Sequence, residues 1–368
     1  MRRLLVIAGF GFWLLFATSS LLVAAEPAHS HRNVIYITWD GFRWQEFFGG
    51  AQELYISKDA GVADVEAIKQ RFWREDEQQR REALLPFVWT VMAKQGQIFG
   101  DPAKNAAAKI ENKHKFSYPG YSEMFCGFPD DIRIASNNKF PNPNVTVLEF
   151  LNHRPGFEGK VAGIATWDVF PFILNQQRAK IDVYAGITPI PGDHLSAEQH
   201  RLNEKIKETP ILWKDNQIDS IILDAAREYL VLKKPRVLFI GLGETDEWGH
   251  GRRYDKYLTA AHEADVFLRQ LWTLLQSMPE YKDKTSIVIA PDHGRGSTIR
   301  NWTDHNAKVE GAEFVWMAAM GPAIPALGVR SDVEVTLSQM AASLAKLVGE
   351  DFNAASPKSA LPLPGITR

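Results

Sequence analysis

The sequence has a single cysteine, Cys126, among its 368 residues. One thiol excludes an intrachain disulfide framework, so stability has to come from an apolar core. Charge imbalance is missing as well: the formal net charge is −2, which gives no reason to expect a nucleic-acid polymer or an anionic membrane as a partner. There is no internal repeat and no low-complexity tract, which removes solenoids and fibrous arrays. Past the first 25 residues no apolar run is long enough to span a bilayer. What is present is the composition of a globular protein, 45% hydrophobic and 23% charged, in a chain long enough for one large α/β domain or two smaller ones.

The first residues, MRRLLVIAGFGFWLLFATSSLLVAA, combine a basic start, an uncharged apolar stretch and small residues at Val23 and Ala25. That pattern predicts an export signal cleaved after Ala25 and a periplasmic or secreted mature protein. An uncleaved anchor is the competing reading. The remainder, 26–368, reads as a single catalytic domain with a loose Pro/Ser-rich tail from about residue 354.

Short β-branched runs (NVIYIT, KVAGIAT, RVLFIGL, TSIVIA, EFVWMAAM) alternate with amphipathic stretches. Residues 257–275 and 337–348 carry apolar side chains at three-to-four spacing and predict helices. The charged stretch 64–83 predicts a surface helix. Alternation of this kind predicts an α/β fold with a mainly parallel central sheet and helices on both faces.

In such sheets, ligands bind beyond the carboxyl ends of the strands. Three runs end there in an acid: VIYITWD at Asp40, VLFIGLGETD at Asp246 and IVIAPD at Asp292. Imidazoles accompany them, His250 four residues after Asp246, His293 beside Asp292, and His305 shortly after. Three crowded carboxylates need compensating cations. Mixed imidazole–carboxylate sets suit zinc, with manganese as the alternative, and six protein ligands plus a bridging oxygen suit two divalent ions. The plainer reading is loop acids and satisfied histidines, and convergence at equivalent strand ends argues against it.

Two metals can clamp the attacking and leaving oxygens of an in-line displacement, and a hydroxyl must then sit between them. Ser117, before Tyr118-Pro119-Gly120, is the candidate nucleophile, with Pro119 suited to the first position of a helix. On its own Ser117 reads as a helix cap, and Ser122 is the competing hydroxyl.

Together Asp40, Ser117, Asp246-x-x-x-His250, Asp292-His293 and His305 resemble the alkaline phosphatase superfamily, closest to its nucleotide pyrophosphatase/phosphodiesterase branch, over roughly residues 33–350. The resemblance implies that Asp246, His250 and His305 bind one zinc and Asp40, Asp292 and His293 the other, with Ser117 bridging. It also implies a phosphate-holding asparagine about twenty residues after the nucleophile, for which Asn138 has the matching offset and Asn137 is the neighbour. The expected activity is that of an exported metal-dependent phosphoesterase, phosphodiesterase or phosphatase, acting on a small phosphate ester through a phosphoserine. A phosphomutase or phosphotransferase and a non-catalytic metal-binding relative are the alternatives. The branch mostly has threonine at the position of Ser117. A formylglycine sulfatase is not expected, because SYPGY lacks the required arginine and Cys126 has its proline at the wrong offset. Arg43 and Arg295, next to the ligands, are the residues that could meet the extra charge of a monoester. Trp44, Phe47, Phe48 and the TWDVFPF segment could line a leaving-group pocket or belong to the core. Asp193-His194 reads as a surface loop.

Overall fold

The NVIYITW run forms β1 (Asn33–Trp39), buried along its whole length, and the rest of the molecule is assembled around it. The structure, a computed structural model, describes residues 32–367; the expected export signal lies outside these. The other strands are β2 (Gly96–Phe99), β3 (Ala107–Lys109), β4 (Val161–Ala165), β5 (Asp182–Ala185), β6 (Val237–Leu242), β7 (Thr285–Ala290), β8 (Phe314–Val315), β9 (Met317–Met320), β10 (Gly328–Val329) and β11 (Glu334–Thr336). Eight of them make one sheet in the order β10-β2-β9-β7-β1-β6-β4-β5, and β11-β3-β8 form a small second sheet.

β1 pairs in parallel with β6 and β7, in a register that puts Ile37 beside Ile240 and Ile289. β7–β9 and β2–β9 are antiparallel, so the sheet is parallel where the site is and mixed toward one edge. A strand covered on both faces can be apolar throughout. Ile35, Ile37 and Trp39 face a cluster that includes Leu258, Phe267, Leu268 and Leu271 of the helix Tyr254–Ser277. Val34 and Tyr36 face the opposite cluster, which includes Tyr121 and Phe125 of the helix Ser117–Cys126 and Leu344 of the helix Gln339–Leu347. This period-two partition places the Ser117 helix directly across the sheet from the long helix.

Two local expectations change and one open choice is decided. The stretch 64–83 is two helices, Val65–Phe72 and Glu77–Leu84, because Asp64 and Asp76 each cap a new start by accepting the N–H three residues on. The aromatic residues Phe47 and Phe48 are core: Phe47 stacks on Trp316 with centroids 3.8 Å apart. The segment from about residue 354, expected to be loose, is docked. Leu363 and Ile366 are buried, Ala360 N–H donates to the Gly127 carbonyl at 2.8 Å, and Thr367 N–H donates to that of Ala323 at 3.0 Å. Its prolines remove donors without preventing two apolar side chains from covering the core.

Candidate active site

Because β1, β6 and β7 are adjacent and parallel, their carboxyl ends bring Asp40, Asp246 and Asp292-His293 to one edge of the sheet. There the ligating atoms form two groups, Asp40 with Asp292 and His293, and Asp246 with His250 and His305, each gathered within 4.8 Å. These are the two sets that the resemblance implied. They share a border, since His293 Nε2 is 3.2 Å from Asp40 Oδ1 and 3.7 Å from Asp246 Oδ1. The rings of His293 and His305 stack at 3.7 Å.

Whether the sets fit cations is decided by which atoms are left over. His293 Nδ1 meets the Gly294 carbonyl at 3.0 Å, and His305 Nδ1 meets that of Lys115 at 3.1 Å. A carbonyl can only accept, so each Nδ1 carries the proton and each Nε2 presents its lone pair to the crevice. His250 Nε2 lies 2.9 Å from His305 Nε2 and 3.3 Å from Asp246 Oδ2, aimed at the same point. Asp40 Oδ1 and Asp292 Oδ2 are buried without a hydrogen-bond donor, while their other oxygens accept from the Tyr121 hydroxyl at 2.9 Å and the Gly41 N–H at 3.1 Å. Orphaned carboxylate oxygens and convergent imidazole lone pairs in one crevice are the donor set of divalent metal ions.

The electrostatics agree. Burial and the neighbouring Asp246 push Asp40 well above the usual carboxylate range, and burial with Asp40 does the same to Asp292. A bound cation removes that cost. Burial works against Asp246 too, yet the Arg295 guanidinium beside it holds it well below the usual range. Burial holds His305 well below the usual imidazole range, which favours the neutral form that a metal ligand needs.

Two glycines make the convergence possible. Gly41 has φ +59°, and a Cβ there would lie 2.8 Å from Asp246 Oδ1 and 2.9 Å from Arg295 Nε. At Gly120 a Cβ would lie 2.3 Å from the Asp292 carbonyl oxygen, so the absence of a side chain lets the helix carrying Ser117 approach the end of β7.

Ser117 is the first residue of its helix and its hydroxyl caps nothing. Instead Oγ lies 3.4 Å from His293 Nε2, at the border of the two sets. Pro119 falls at the third helical position, still within the first turn, where a missing N–H has no intrahelical partner to lose. Ser122 faces the core, where Asn142 Nδ2 donates to its Oγ at 3.2 Å. Cys126 lies beside it, its thiol pushed up to about 12 by burial. Of the two exposed asparagines Asn137 and Asn138, it is Asn137 that touches the start of the Ser117 helix, its Oδ1 accepting the Tyr118 N–H at 3.0 Å. Asp193 and His194 join neither set.

Neither arginine is available to a substrate. Arg43 is buried, bonded through Nε to Glu46 Oε2 at 2.8 Å, paired through Nη2 with Glu46 Oε1, and donating through Nη1 to the Gly296 carbonyl at 2.9 Å. Arg295 is buried behind Asp246, contacting its carboxylate and its carbonyl, and donating also to the carbonyls of Gly41 and Thr303. Sequence reasoning missed this role of Arg295 and the role of Tyr121, which orients Asp40 from one turn beyond Ser117. The second had a legible signal in its i+4 spacing from Ser117.

Residues 174–351 match the sequence model of a family described as the Metalloenzyme superfamily, and that segment contains Asp246, His250, Asp292, His293 and His305. No curated protein matches the sequence. Similar solved structures include the alkaline phosphatase PafA, with TM-score 0.60 and 11% identity over 94% of this chain and 100% of that one. Others are a 2-O GAG sulfatase (TM-score 0.57, 12% identity, 90% of this chain and 73% of that one) and the lipoteichoic acid synthase LtaP from Listeria monocytogenes (0.56, 10%, 88% and 73%). At such identities the likeness is one of fold. Just under half of the chain is thus similar to the Metalloenzyme superfamily, and the architecture is the fold of alkaline phosphatases and sulfatases.

Proposed function

We propose that the protein is an exported phosphoesterase with a preference for diesters, acting through Ser117 and two divalent metal ions, zinc in the first instance. The observation that carries this reading is the position of Ser117 Oγ, uncapped and 3.4 Å from His293 Nε2 where the two ligand sets meet. When bound, two divalent ions supply Lewis-acid charge at the nucleophile and at the departing oxygen. Ser117 Oγ forms a bond to phosphorus as the bond to the alcohol oxygen breaks opposite it. Water then cleaves the phosphoserine, restoring the hydroxyl and releasing the phosphate product. Because the acceptor end of Asn137 is fixed on the Tyr118 N–H, its amide end is the donor left for a non-bridging oxygen, and we move to it the role expected of Asn138.

The preference follows from charge. A monoester brings a second negative charge that a guanidinium is well shaped to meet, and both arginines next to the ligands are consumed in buried pairs. A diester carries one charge and asks less of the site. Initial rates on p-nitrophenyl phosphate and bis-p-nitrophenyl phosphate, with protein stripped by chelation and reloaded with zinc, test this. Diester preference that returns with zinc supports it, and monoester preference contradicts it.

A further inference from the structure

Glu123 lies six residues beyond Ser117 on the same helix and is fully buried. Four donors converge on its carboxylate: the Glu111 N–H at 2.9 Å, the Asn112 N–H at 2.8 Å, Asn112 Nδ2 at 2.9 Å and the Ser338 hydroxyl at 3.1 Å. Asn112, held in this way, accepts the Lys115 N–H on its own Oδ1 at 2.9 Å. Lys115 is in the left-handed region, φ +56°, a conformation unfavourable for a residue with a side chain and kept only when its surroundings enforce it. Its ammonium is tied to Glu313 at 2.8 Å. Held on both sides, Lys115 turns its carbonyl toward His305 Nδ1, 3.1 Å away.

That last contact fixes which nitrogen of His305 carries the proton, and so presents Nε2 to Asp246 and His250. We infer that Glu123, Asn112 and Lys115 form a positioning relay that sets the His305 ligand and couples it to the helix carrying Ser117. The inference rests on reading the two ligand sets as metal sites. A carboxylate suits the hub because it only accepts, and all four neighbours donate. Glutamine would turn an amide N–H against another donor, leave a buried donor unsatisfied, and loosen the 111–116 loop at its root.

The test is a zinc titration of metal-free protein in competition with a chromophoric chelator, on wild type, Glu123→Gln, Asn112→Ala and His305→Ala. Asn112→Ala keeps Glu123 and its helix but cuts the link to Lys115, so the question stays answerable if Glu123→Gln folds poorly. Wild type should bind two ions, and His305→Ala should lose one of them. Both relay variants should hold one ion at wild-type affinity and weaken the ion lost in His305→Ala about 10–100-fold, the usual effect of removing a residue that orients a ligand. Two wild-type affinities in the variants, or equal weakening of both ions, overturns the relay. Fewer than two ions in the wild type overturns instead the two-site reading on which it rests.

Discussion

Arg43 offers a sharp separation between substrate contact and structural support. It is almost fully buried and so is its partner Glu46, which also accepts the Tyr254 hydroxyl at 2.9 Å; the guanidinium lies over the Tyr55 ring at 4.7 Å. Arg43→Met removes the cation and leaves a carboxylate uncompensated in the core, a loss of about 3–5 kcal/mol for a pair this deeply buried. That is a large share of the roughly 5–15 kcal/mol of a typical fold. The double variant Arg43→Met/Glu46→Gln removes both charges, while the new side-chain amide can still accept from Tyr254 through its oxygen. The Gly296 carbonyl is unmet in both variants, and in the double variant an unmet amide N–H, worth about 1–3 kcal/mol, replaces the uncompensated charge. The double variant should therefore be more stable than the single one by about 2 kcal/mol. Urea unfolding of the metal-free proteins measures the cycle, and rates on the two p-nitrophenyl esters at low temperature measure function. The ratio of monoester to diester rates should not change. An Arg43→Met protein of unchanged stability that loses monoester turnover selectively would refute the assignment and return Arg43 to the substrate.

Tyr121→Phe removes the hydroxyl that donates to Asp40 Oδ2 at 2.9 Å and should weaken one of the two zinc ions about 10–100-fold in a competition titration, with the fold retained. Gly41→Ala drives a Cβ into Asp246 Oδ1 and Arg295 Nε and should lower metal stoichiometry in plasma emission analysis. For pH, Asp265 is informative because it lies away from the metal sets: burial pushes its carboxyl up to about 7, although it accepts the Phe87 and Val88 N–H groups at 2.8 Å. An acid raised in the folded state binds more protons folded than unfolded between its two pKa values. Its contribution is therefore complete below the unfolded value near 4 and is lost as pH rises through about 7, at up to about 1.4 kcal/mol per pH unit. The stability of wild type relative to Asp265→Asn should fall between about pH 5 and pH 7 in urea unfolding, and a flat or rising difference contradicts the assignment.

The convergence of the candidate ligands is legible in the sequence because strand ends in a parallel sheet are where chemistry collects, and Asp40, Asp246 and Asp292 each close an apolar run. Ser117, whose Oγ lies at the border of the two sets, is singled out as a candidate by the aromatic and proline that follow it. The roles of the arginines are not, since a sequence shows a charge beside a ligand but not the direction in which it points. For Arg43 the clue is present in Glu46, three residues on and one helical turn away. Asn137 and Asn138 differ by a single residue, and only the path of an irregular segment decides which reaches Tyr118. The relay through Glu123 joins positions from 111 to 338, and contacts that distant leave no local pattern. At the end of the chain, prolines and serines suggest a loose tail, and the two apolar side chains that dock it, Leu363 and Ile366, are too few to show a period.

The most direct test of the central claim is Ser117→Ala, assayed side by side for bound zinc and for diester turnover. A nucleophile placed between two preformed metal sets predicts two ions still bound and a rate reduced on the order of 10⁴-fold or more. Retention of most of the rate with both ions in place would contradict the account and put the attacking group elsewhere.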